Sequence, residues 1–306
     1  MRRRGAVCVL AGALLVGFAG GDQGFAGHPK AWADGTPVVW AENEMPELPL
    51  DAYEFTAVNG KAYDRLEQAR KLLTQRCMVR HGFAGFPRDP KYPGQGRGTT
   101  MRALVIVATG PVGLYDLGAA RRWGYGWDPR RRTSPPEPEG REMTAEESDV
   151  YYGDRRTSHS GCYGEASLRL ERGVRNVRRT WTYVSGRGAV IRKRVERDPR
   201  MRRAFTAWAD CVVDKGFKRY SDPAAAYGAK EWKRGQDGNT ARTPRELGTA
   251  VADIECKRAL NTAGVWWAVA NRLQRRELAL HRAEFEAVRT DRDRMLANAE
   301  AVLKPA

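Results

Sequence analysis

A chain of 306 residues, 42% hydrophobic and 29% charged, is long enough to bury the core of one large domain or two small ones. Its 53 lysines and arginines against 37 aspartates and glutamates give a formal charge of +16 and invite a nucleic-acid reading. The first 33 residues exclude it, because an exported chain meets little nucleic acid and the counter-charges left are anionic wall polymers and lipid head groups.

Met1 to Ala33 carries Arg2-Arg3-Arg4, an apolar run from Ala6 to Ala19 and the small-x-small sequence Ala31-Trp32-Ala33, which together read as a cleaved signal peptide. The apolar run is too short to span a bilayer, so no transmembrane segment is expected in the mature chain. Cys8 stands at the front of that run, not after it, where a lipid anchor would attach. Cleavage removes four basic residues and Asp22, leaving +13 and four cysteines. Residues 34–58 hold Pro37, Pro46 and Pro49 without helical periodicity and read as an extended N-terminal arm.

Ala62, Leu66, Ala69, Leu73 and Cys77 recur at steps of four and three, predicting a helix from about Gly60 to Arg80 with the thiol on its apolar face. The segment Cys77-Met78-Val79-Arg80-His81-Gly82-Phe83 returns as Cys211-Val212-Val213-Asp214-Lys215-Gly216-Phe217, and each copy is followed by Asp-Pro, Asp89-Pro90 and Asp222-Pro223. Both copies read as a helix end with glycine at the left-handed position and proline beyond it. Cys162 and Cys256 follow, one after each copy. Four cysteines in an oxidising compartment allow three pairings, and the duplicated layout favours Cys77 with Cys162 and Cys211 with Cys256.

The Gly- and Pro-rich middle is irregular. Met101 to Ala108 is an apolar run, strand or helix, leading into Thr109-Gly110-Pro111-Val112-Gly113-Leu114. A dinucleotide site needs a second strand ending in an acidic residue, and Asp128-Pro129-Arg130-Arg131-Arg132 cannot supply one, so no cofactor is expected. Leu114 to Trp123 predicts a short helix ending at Gly124. Trp123, Tyr125 and Trp127 would share one face if extended, a sugar-stacking surface, or else fill space beside a helix. Thr133 to Glu139 is a proline-rich loop, and Thr144-Ala145-Glu146-Glu147 is a capping box starting a helix that stops by Gly153. His159 lies three residues before Cys162, a nucleophile pair only if the thiol is free.

Met201, Ala204, Trp208 and Cys211 predict a helix ending at Gly216. A short helix is expected over Ala224 to Lys233, a loop over Arg234 to Arg242, and a capping box with proline at the first helical position at Thr243-Pro244-Arg245-Glu246. From Gly264 to Leu303 no proline intervenes; if continuous, that is roughly 60 Å of helix at 1.5 Å per residue. Its heptad seam, Phe285, Val288, Met295, Ala299 and Val302, slips in phase against Trp266, Val269 and Leu273, and leaves the helix to project from the body, pack back along it or pair with another chain as a coiled coil.

Cys211-x-x-x-Lys215-Gly216-Phe217, Asp222-Pro223, Val251-Ala252-Asp253-Ile254-Glu255-Cys256-Lys257, Asn261, Val265-Trp266 and Gln274, with Gly161-Cys162-x-Gly164-Glu165-Ala166, resemble a group of uncharacterised exported proteins and lipoproteins of actinobacteria, over about Arg76 to the end. The resemblance implies a secreted or cell-wall-associated location, a largely helical fold and paired cysteines. It carries no activity and no functional residue, and this chain lacks the acylation cysteine of the lipoprotein members.

The expectation is a mainly α protein: signal peptide (1–33), extended N-terminal arm (34–58), a disulfide-linked helical core (59–263) built as two stapled modules around an irregular middle, and a long C-terminal helix (264–306). No metal set is read from His28, His81, His159 and His281. The functional expectation is a non-catalytic cell-envelope accessory protein binding a partner protein or the anionic wall. The alternative is a secreted hydrolase of wall polymers using a carboxylate pair drawn from Glu165, Glu171, Asp210 and Asp253.

Overall fold

The computed structural model describes residues 36–37, 46–55, 61–91, 113, 115–128, 140–153, 160–235 and 238–304. The signal peptide, the run Met101 to Ala108, the turn from Thr109 to Val112, the loop Thr133 to Glu139 and both His28 and His159 lie outside them. The described residues form ten α-helices and no strand: α1 Lys61–Arg80, α2 Leu117–Trp123, α3 Ala145–Tyr152, α4 Gly161–Leu170, α5 Val177–Arg197, α6 Pro199–Asp214, α7 Pro223–Tyr227, α8 Pro244–Ala259, α9 Thr262–Leu280 and α10 Arg282–Leu303.

The duplicated segment ends α1 and α6 in the same way. In each copy the phenylalanine amide donates five residues back, Phe83 to Met78 and Phe217 to Val212, while the glycine amide bonds Val79 or Val213. Gly82 (φ +94°) and Gly216 (φ +85°) hold the left-handed position that a side chain would strain. Beyond this point the copies diverge. Asp222 caps α7 through a bond from the Ala225 amide, with Pro223 in its first turn, whereas Asp89 pairs with Lys71 and its carbonyl takes the Gly140 amide.

Both disulfides of the duplicated layout are present, Cys77–Cys162 tying α1 to α4 and Cys211–Cys256 tying α6 to α8. Each lies in its own apolar cluster. Cys77 and Cys162 pack with Met78, Phe86, Met143 and Tyr151, and Cys256 packs with Trp208, Val212, Tyr227, Trp232 and Ile254. A third cluster joins the modules: α5 supplies Val184, Ile191 and Val195, α9 supplies Val265, Val269 and Ala270, and α10 supplies Phe285 and Val288.

The long C-terminal helix is present in two segments. It breaks at His281 (φ −125°, ψ 33°), between the two stripes whose phase differs. The change of direction lets α9 face α5 and α6 while α10 runs against α1, α4 and α5, so Met295, Ala299 and Val302 join Leu66, Ala69 and Leu170 in a fourth cluster. The heptad seam is therefore enclosed by this chain's own helices. Residues 46–55, which carry one 3-10 turn (Asp51–Tyr53), lie across the same pair. The Leu50 amide donates to Gln274, Trp267 donates to the Pro46 carbonyl and Arg292 to the Ala52 carbonyl.

Two further expectations are corrected. The helix expected over Ala224 to Lys233 stops at Tyr227 and resumes as a 3-10 turn, Lys230–Trp232, which lets the Trp232 indole donate to the Ala226 carbonyl. The second capping box is only half formed. Thr243 caps the Glu246 amide, but the Glu246 carboxylate turns inward to accept from the Tyr125 amide, the Thr240 hydroxyl and the Arg242 amide. By contrast the box at Thr144 and Glu147 is complete.

Candidate functional site

The most concentrated charge in the chain sits where α5 meets α6. Val184, Ile191 and Val195 turn one stripe of α5 inward, and Met201, Ala204, Trp208 and Val212 do the same for α6. The positions between them are left to solvent, and the sequence fills them with cations: residues 187–203 hold eight basic side chains and two acidic ones. Asp198-Pro199 makes the corner. The Asp198 amide closes α5 on the Val195 carbonyl, its Oδ1 accepts from the Arg200 amide to cap α6, and proline occupies the first turn of α6.

Of the two acids, Asp198 is thus used in the backbone turn, and its Oδ2 takes a 2.6 Å bond from Arg272 of α9. Arg187 and Arg194 pair with the buried Glu277, Arg194 from an exposed position, and Arg200 donates to Thr36. The remaining five, Arg192, Lys193, Arg197, Arg202 and Arg203, are exposed and make no ion pair with a described residue. These five cations without an ion pair, on two consecutive helical segments with Glu196 the one exposed acid among them, form a field that recruits polyanions. A net charge counted over the whole chain does not locate this corner. The signal available was local: eight basic residues within seventeen, hinged on Asp-Pro.

The expected alternative needs two convergent carboxylates, and three of the four candidates are engaged with partners other than one another. Asp253 is 1% exposed, enclosed in α8, where it accepts from Lys257 Nζ (3.1 Å), Trp208 Nε1 (3.0 Å) and Tyr125 Oη (3.3 Å). Burial raises its pKa while those three donors oppose the rise. Burial likewise pushes Tyr125 and Tyr115 well above the ordinary tyrosine range. The Lys257 ammonium, 0% exposed, lies 5.2 Å from the Tyr115 ring. No substrate reaches this group, which pins α6, α8 and the segment after α2 together. Asp210 pairs with Arg219 on the surface, Glu165 lies near Arg80, and Glu171, with its pKa raised by burial, follows α4.

The aromatic trio also separates. Tyr125 is buried between Tyr227 and Trp232, each 5.7 Å between ring centroids, while Arg242 covers Trp123. With Tyr125 buried, the three rings do not share one face open to a sugar. An open groove of about 690 Å³ runs between residues 47–53 and the α9–α10 break, lined by Leu48, Tyr53, Trp267, Arg275, Leu278 and Arg282 among others. His281 at that break contacts Arg187 and Glu277. His81 lies beside the Cys77–Cys162 pair, a neighbour that the spacing of four residues from Cys77 on one helix could have revealed. No helix among the described residues is long and apolar enough to cross a membrane.

Comparison with known proteins finds no match: neither a known protein family, nor a curated protein, nor a solved structure resembles the chain significantly.

Proposed function

We propose that the protein is a non-catalytic, exported accessory protein that holds an anionic polymer of the cell envelope on the cationic corner of α5 and α6. The observation that carries this reading is the set of five exposed, unpaired cations at Arg192, Lys193, Arg197, Arg202 and Arg203. The two disulfides are compatible with an oxidising compartment, and the resemblance to exported actinobacterial proteins points to the same place. The terminal helix is a weaker candidate for the binding element, since its seam is enclosed by α1, α4 and α5.

Binding at such a corner is electrostatic and multivalent, with each contact weak and screened by salt. The test is co-sedimentation of the purified mature protein with cell envelopes, for wild type and a variant carrying glutamine at the five positions. Wild type should pellet at low salt and be released at high salt, and the variant should remain in the supernatant. Equal pelleting of the two proteins would refute the assignment.

A further inference from the structure

The first staple is more than a pair of sulfurs. Cys77 and His81 are one helical turn apart at the end of α1, and Cys162 lies in the first turn of α4. Donor atoms of all three lie within 4.8 Å of one another, and among the described residues no other three His, Cys, Asp or Glu side chains come so close. Glu165, three residues after Cys162 on α4, places Oε2 3.4 Å from the Cys77 sulfur. A bonded disulfide sulfur has no proton to donate, so this is a contact without a hydrogen bond. The second staple, Cys211–Cys256, has Lys215 and Glu255 beside it and no such grouping.

Two thiolates and an imidazole are donor types that zinc takes in a tetrahedral site, and Glu165, outside that group of three and 3.7 Å from Arg80, is near enough to Cys77 to supply the fourth by turning its side chain. The spacing suits it. In a zinc site of roughly 2.3 Å Zn–S bonds the two sulfurs stand about 3.7 Å apart. Their Cα atoms are 5.5 Å apart in the disulfide, so side-chain torsions can open the sulfurs while the helices stay in place. The cysteines are 1–2% exposed and His81 is exposed, so the metal would approach from the imidazole side with its sulfurs at the bottom of the site.

We infer that Cys77, Cys162 and His81, with Glu165 as the fourth donor, form a zinc site that replaces the Cys77–Cys162 disulfide when that bond is reduced. A dithiol reductant gives two electrons and two protons to the sulfur–sulfur bond and is itself oxidised to a disulfide. Zn²⁺ then displaces the two protons from the cysteine thiols and forms two zinc–sulfur bonds, with His81 and Glu165 completing the shell. The joint between α1 and α4 is thereby closed in either redox state. This inference stands apart from the polymer-binding reading, because the cationic corner contributes none of the ligands.

Cobalt(II) is the probe, because thiolate ligation gives it an intense charge-transfer absorption and tetrahedral ligation gives it strong visible bands. The full chain would be titrated oxidised and after reduction, with helicity followed by circular dichroism. One cobalt per reduced chain, displaced by zinc, and none in the oxidised chain is the expected result. His81→Ala, a change at an exposed position, should weaken binding about tenfold or more. A reduced, helical chain without the charge-transfer band would overturn the proposal, as would a band indifferent to His81→Ala. Loss of helicity on reduction that zinc does not restore would overturn it too, since the site would then have no scaffold.

Discussion

Lys257 and Asp253 show how one turn of helix fixes the second module. Neither charge reaches water, and each is held by the other and by Trp208, Tyr125 and the Tyr115 ring. Lys257→Met strands a buried carboxylate and should destabilise the fold by about 3–5 kcal/mol, whereas replacing both partners with apolar residues should cost far less. Denaturant melts of the single and double variants check this; equal losses in the two would contradict it. Glu147 gives a pH signature. Arg141 and the bonds with Thr144 hold its carboxyl at about 2, below its ordinary 4.5. The folded state therefore prefers the carboxylate, and this contribution is complete above about pH 4.5 and disappears as pH falls through 2. The gap in melting temperature between wild type and Glu147→Gln should be full at pH 5 and closed near pH 2. At this scale the sequence was only partly legible. The box at Thr144 is local and could be read. The inward turn of Glu246 depends on Tyr125 and Thr240 brought from elsewhere in the fold, which no spacing reveals.

Helix ends were the most legible elements, because they depend on a few adjacent residues. Gly82 and Gly216 both carry the reading of the duplicated segment, and alanine at either should destabilise by about 1 kcal/mol through the positive φ alone. The opposite is expected on α5. Gly186 and Gly188 lie mid-helix without a positive φ, and a Cβ at either would meet nothing within 4 Å. Alanine there should stabilise by about 0.5–1 kcal/mol per site, checked by thermal melts. Nothing in the structure explains why glycine occupies them. The break at His281 was legible only as a slip of hydrophobic phase. Why it falls there is a tertiary matter: α9 and α10 must each face different helices, and Glu277, Arg187 and His281 meet at the junction.

As a whole the molecule is two stapled modules joined by α5, α9 and α10, and the pairing of cysteines followed from the duplication because each copy folds into its own cluster. In the chain-entropy account each bridge is worth roughly 4–5 kcal/mol. The candidate site was less legible than the fold, since a charge total of +16 does not say where the cations gather. Only the burial of every third or fourth residue on α5 and α6 shows that five of them share one outer corner. On the proposed reading this corner holds an anionic envelope polymer. This is tested most directly by titrating the protein with a defined poly(glycerol phosphate) across a range of salt concentrations, for wild type and for the variant with glutamine at Arg192, Lys193, Arg197, Arg202 and Arg203. Wild-type affinity should fall steeply with rising salt, and the variant should bind at least about tenfold more weakly at low salt with a much flatter dependence. Superimposable curves for the two proteins would contradict it.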